Sequence, residues 1–167
     1  MQTENLTFIH GSIDQIFELA ANIQNWPSIL PHYRFVNVHE QSSDGCRRVV
    51  TMSAVRDDFP TPGLRYPVTW RSVQFCEPNE GRISFKHIGG MATGMWVVWE
   101  LTEDPWGRGV RVVIRHSLRY PLSIMNGWFA GTVVGEGFVS TIAGQTLARI
   151  KEIVEDGKKI LQDGQDN

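Results

Sequence analysis

The stretch Val139-Ser-Thr-Ile-Ala-Gly-Gln-Thr-Leu-Ala-Arg-Ile-Lys-Glu-Ile-Val154 decides the fold of this 167-residue chain. Val139, Ile142, Ala143, Thr146, Leu147, Ile150, Ile153 and Val154 recur at helical spacing and form one apolar stripe. This is the only long amphipathic element in the sequence, so whatever apolar sheet the chain builds must be covered by it. Gly157 is the expected C-cap, and Lys158 to Asn167 reads as a polar, fraying tail.

Upstream, the period is two. Strands are expected over 5–9, 34–39, 47–56, 68–76, 82–88, 95–103 and 110–119, separated by turns such as Ser42-Ser-Asp-Gly45 and Gly89-Gly-Met-Ala-Thr-Gly94. Ser12 with Gln15 reads as a capping box opening a helix that ends near Asn22, before Trp26-Pro27. A second short helix or turn is expected over 28–31. Residues 57–67 read as a loop and 121–135 as either a packed helix extension or a gate. Strands in a run followed by one helix mean α+β with an antiparallel sheet. The expected architecture is a curved seven-stranded sheet around the C-terminal helix, with two short helices after the first strand. Residues 1–157 are expected to form one domain and 158–167 the tail.

Composition removes several functions. Sixteen Lys and Arg oppose eighteen Asp and Glu, so no global field attracts nucleic acid. No apolar run reaches the ~18 residues of a membrane helix, which argues against stable membrane insertion. The first residues lack a basic start and an apolar run, so a cytoplasmic protein is expected. Two cysteines without metal spacing predict neither a disulfide scaffold nor a metal site, and no cofactor motif is present. Six tryptophans in a domain of this size point to a wide, aromatic-lined interior.

Alternation assigns inward faces. Val68, Trp70, Ser72, Gln74 and Cys76 share one; Ile83, Phe85 and His87 another; Met95, Val97, Trp99 and Leu101 a third. Val110, Val112, Ile114, His116 and Leu118 form the last, with Arg111 and Arg115 pointing away. His116 therefore sits among aliphatics, either as a neutral core histidine or as a proton carrier at a cavity wall. His87, beside Phe85, can do the same. An inward Gln74 needs partners, because an unpaired buried amide is costly.

The element order, with Trp26-Pro27 followed by Tyr33, Trp70 with Ser72, Trp99 closing Met95-Trp-Val-Val-Trp99, and the stretch from Ile142 to Lys151, resembles the START-like (SRPBCC) helix-grip superfamily. Within it the chain is most similar to the polyketide cyclase/aromatase branch, over roughly residues 4 to 156. The resemblance implies a hydrophobic ligand, polyketide-like or aromatic, held between sheet and helix. It also implies aldol cyclisation and dehydration of a poly-β-ketone chain. The branch places a carbonyl-polarising arginine four residues after the tryptophan matched by Trp70; here that position is Gln74. Tyr33 matches the pocket tyrosine.

The candidate catalytic residues are therefore Tyr33, His116 and Arg56. Tyr33 either plugs the end of the sheet or donates to a ligand carbonyl. Arg56, in register with Met52 and Ala54, is either a surface arginine or a cation at the cavity mouth. Candidate ligand-binding residues are Trp26, Trp70, Ser72, Gln74, Phe85, His87, Met95, Trp99, Ile142 and Thr146. A ligand hollow of the usual kind holds ~300–1,000 Å³. Three functions stay open: a cyclase or aromatase-like enzyme, a non-catalytic carrier of a lipid or quinone, and an interaction module. A homodimer is compatible with each.

Overall fold

The computed structural model describes residues 2–57, 63–90, 92–118 and 136–163. The chain runs β1 (Gln2–Ile9), α1 (Ile13–Ala21), a 3-10 turn (Ile23–Asn25), α2 (Trp26–Ile29), β2 (Tyr33–Gln41), β3 (Arg47–Arg56) and β4 (Tyr66–Glu77). After a second 3-10 turn (Pro78–Glu80) come β5 (Arg82–Gly90), β6 (Met95–Glu103), β7 (Val110–Leu118) and α3 (Glu136–Asp163). The strands form one antiparallel sheet in the order β1-β7-β6-β5-β4-β3-β2. This is the helix-grip arrangement expected from the alternation and the single amphipathic helix. No described helix is long and apolar enough to cross a membrane.

Local chemistry accounts for the α1–α2 corner. Ser12 Oγ accepts the Gln15 N–H at 3.2 Å, capping α1, and the helix closes at Asn22. Pro27 then occupies the first turn of α2, where its missing N–H costs nothing. The short helix thus begins at Trp26 rather than at Ser28, because proline starts helices as readily as it stops them. Trp26 Nε1 donates to Leu19 O at 3.1 Å, fixing α2 against the last turn of α1.

The inward faces carry the core. Val50, Met52, Ala54, Val68, Ile83, Phe85, Val97, Trp99, Leu101, Val112 and Ile114 are buried, and Val139, Ala143, Leu147, Ile150 and Val154 of α3 close over them. Edge strand β1 is tied to α3 by polar links: Asn5 Nδ2 to Ser140 O at 3.0 Å and Lys151 Nζ to Phe8 O at 2.9 Å. Two further sequence expectations change. α3 does not stop at Gly157 but runs through it to Asp163, since a helical glycine lowers stability by only ~1 kcal/mol. Gly89 and Gly90 belong to β5 instead of a turn, because a register shift between Arg71 and Ser72 carries the β4–β5 ladder past them.

Gly90 makes that shift feasible. It has φ +82°, and a Cβ there would lie 2.5 Å from Thr69 O and 2.9 Å from Trp70 Cα. Only glycine lets β5 press this closely on the backbone that carries Trp70. Gly90→Ala should lower stability by about 2 kcal/mol in urea unfolding; an unchanged midpoint would show that the strand relaxes freely.

Candidate functional site

Between the concave sheet face and α3 lies a cavity of about 80 Å³. Trp26, Tyr33, Trp70, Phe85, His87, Met95, Trp99, His116, Ile142 and Thr146 all line it, together with smaller aliphatic side chains. The hollow is smaller than the several hundred Å³ expected from the sequence. The reason is visible in the aromatic cluster. The Trp26 ring lies 4.9 Å from Tyr33, 6.1 Å from Phe85 and 6.0 Å from Trp99, and Tyr33 lies 6.2 Å from Trp70. The rings both fill the interior and wall what is left, which is room for several waters or one small ring.

Each polar group at the wall has a distinct support. His87 Nδ1 is hydrogen-bonded to the Ser72 hydroxyl, and both residues are buried. His116 Nδ1 meets Thr3 Oγ1 at 3.2 Å across the β1–β7 ladder. Thr146 is a hub on α3. Its hydroxyl donates to Ile142 O at 2.8 Å, so its oxygen accepts the His32 Nε2–H at 2.9 Å, and it is also hydrogen-bonded to the Tyr33 hydroxyl. Trp70 Nε1, also buried, has no acceptor among the described residues.

Burial sets the charge of this wall. It lowers His87 to about 3, with His116 adding to the effect, and lowers His116 to about 4. His32 is likewise lowered to about 4 by burial, against the pull of Asp57. Burial raises the Tyr33 phenol well above its ordinary value, opposed by its bond to Thr146. At neutral pH the cavity therefore presents neutral imidazoles and a neutral phenol, and no Lys, Arg, Asp or Glu lines it among the described residues.

Two expected site residues stand elsewhere. Gln74 is fully buried but does not line the cavity. Its Nε2 donates to Ala21 O at 2.9 Å, and its Oε1 accepts from Arg48 Nη1 at 3.1 Å. Arg48 Nη1 also reaches Ala21 O at 3.1 Å, so both side chains satisfy the last turn of α1. Ser72 reaches the site only through His87. Arg56 ends β3 opposite Tyr66, and its side chain lies outside the described residues, as does the segment 121–135. His32 is the residue that alternation missed. It sits on the turn between α2 and β2, where no period assigns a face; its only signal is adjacency to Tyr33.

The histidines make acid stability a test. Each folded value lies below the ordinary 6.5, so the unfolded chain binds the extra protons. Stability is therefore complete above pH 6.5 and is lost as pH falls toward 4. Urea unfolding between pH 7.5 and 4.5 should show a slope approaching ~1.4 kcal/mol per pH unit for each histidine. His32→Gln should reduce that slope by about a third, and a flat profile would contradict the burial of all three.

A family model described as polyketide cyclase/dehydrase and lipid transport matches residues 9–142. No curated protein matches at the sequence level. Among solved structures, the Zhui aromatase/cyclase from Streptomyces sp. R1128 superposes with a TM-score of 0.75 at 16% identity, covering 93% of each chain. TTHA0849 from Thermus thermophilus gives 0.73 at 16% identity, over 94% of this chain and 99% of that one. A START superfamily protein from Mycobacterium smegmatis gives 0.64 at 12% identity, over 93% and 97%. At these identities the structures share a fold with this chain, while the family match spans most of its length. The chain thus belongs to the polyketide cyclase/dehydrase and lipid transport family.

Proposed function

We propose that this protein binds an uncharged, largely apolar small molecule bearing a carbonyl or phenol oxygen in the cavity, and acts on it as a cyclase or dehydratase. The observation that carries this reading is Trp70, which lines the cavity with a buried Nε1–H that no described group accepts. A buried donor left unmade costs ~1–3 kcal/mol, which an incoming oxygen recovers. A charged ligand would lose its hydration at a wall with no counter-ion. The match to cyclases and dehydrases supports the chemical step.

The proposed chemistry is templated. A ring-sized space holds one bend of a poly-carbonyl chain, bringing a nucleophilic carbon near a carbonyl. Trp70 Nε1–H polarises the carbonyl oxygen, and Tyr33 adds a second donor by exchanging Thr146 for the ligand. Neutral His116 takes a proton from the carbon flanked by two carbonyls. Arg56 is the proposed cation at the mouth. One observation favours a carrier without chemistry: Gln74 and Arg48 are both engaged at α1, so neither polarises a bound carbonyl.

Acetophenone and its planar isostere α-methylstyrene test the binding mode. Trp70→Phe should weaken acetophenone about tenfold more than it weakens α-methylstyrene, read by heteronuclear NMR titration. An equal loss for both would leave Trp70 a packing residue. Incubation with a reactive poly-β-ketone should give a ring regiochemistry that disappears in Tyr33→Phe and His116→Ala. If the product distribution matches the protein-free reaction, the carrier reading stands.

A further inference from the structure

The two cavity histidines look alike from inside the hollow but differ behind it. His87 leans on Ser72, which is fully buried on central strand β4, flanked by β3 and β5. His116 leans on Thr3, half-buried on β1 at the edge of the sheet. Thr3 and His116 are direct cross-strand partners, so the 3.2 Å contact is built into the ladder. From these pairings we infer that Thr3 is a positioning residue that connects His116 to bulk water, making the His116–Thr3 pair the proton exit of the cavity, while His87–Ser72 is closed.

The inference rests on the proposal that the cavity hosts cyclisation and dehydration. A hydroxyl both donates and accepts, and a neutral imidazole carries one proton on either nitrogen. In the cyclisation step, His116 Nε2 takes the proton from the ligand carbon. The proton on Nδ1 passes to Thr3 Oγ1, whose own proton moves to water. The C–H electron pair forms the new carbon–carbon bond and the carbonyl π pair moves onto its oxygen; Nε2–H then gives its proton to that oxygen, making the hydroxyl, while Nδ1 regains a proton from water through Thr3 and the ring returns to its starting tautomer. In the dehydration step, Nε2 takes the remaining proton of the same carbon while Nδ1–H again passes to Thr3; the C–H pair becomes the carbon–carbon double bond, the C–O pair leaves with the hydroxyl, and Nε2–H protonates it so that it departs as water. Nδ1 then regains a proton from Thr3, and Thr3 from bulk water. No imidazolium forms at any stage, which suits a wall that disfavours charge.

The test needs no ligand. In protein carrying ¹⁵N-labelled histidine, the ring N–H of His116 should exchange with water at least ~10-fold faster than that of His87. Thr3→Val should slow His116 by ~10-fold with the backbone spectrum unchanged, and Thr3→Ser should restore it. Equal rates for the two rings in the native protein, or no change in Thr3→Val, would overturn the inference. Should Thr3→Val fail to fold, the comparison of His116 with His87 decides it. A chain that exchanges as expected but leaves a poly-β-ketone unchanged would remove the proposed function and leave the proton route standing.

Discussion

A sheet of seven strands curved around one helix presents more apolar face than a single helical stripe can cover. The whole interior follows from that mismatch. Leu147, Ile150 and Val154 of α3, which packs chiefly on β1, are buried in the core, and large rings fill much of the remaining face. Trp26, Tyr33, Trp70, Phe85 and Trp99 meet edge to face or tilted, as aromatic quadrupoles prefer. Flat plates packed at angles leave gaps that branched aliphatics would fill, so a small hollow remains where the rings converge.

That hollow is dry in character yet carries imidazoles, a phenol, an indole and a hydroxyl. Burial keeps the imidazoles and the phenol uncharged at neutral pH, so the site operates through hydrogen bonds. Their supports come from separate elements: Thr3 from β1, Ser72 from β4, Thr146 from α3. At Ser72 and Thr3 the hydroxyl partner lets the ring nitrogen donate or accept, in contrast to a carboxylate partner, which would enforce one tautomer and raise the basicity. The wall is accordingly adaptable in proton position and fixed in shape.

Much of this was legible from residue order. The period of two assigned the inward faces of β3 through β7 because each strand has one dry side, and a single-residue slip would have exposed Trp70, Trp99 and His116 together. The cavity residues on those strands followed. What alternation could not show was partnership. Gln74 lies on the inner face as expected, but its partners are a helix carbonyl and an arginine from the neighbouring strand. His32 occupies a turn with no periodicity. The size of the hollow depends on ring angles, which no sequence pattern encodes. Gly90 reads as a turn residue, although its left-handed backbone serves a strand under close approach.

The engagement of Arg48 with Gln74 has an evolutionary consequence. The two positions face each other directly across β3 and β4. An arginine placed at 74 by one substitution would bring a second cation against the first, at a buried position already occupied in holding Ala21 O. Like charges opposed across strands repel, and a desolvated pair repels more strongly. A cation at 74 therefore calls for a neutral residue at 48. The two positions are thus coupled, and a change of charge at one is tolerated only with a matching change at the other.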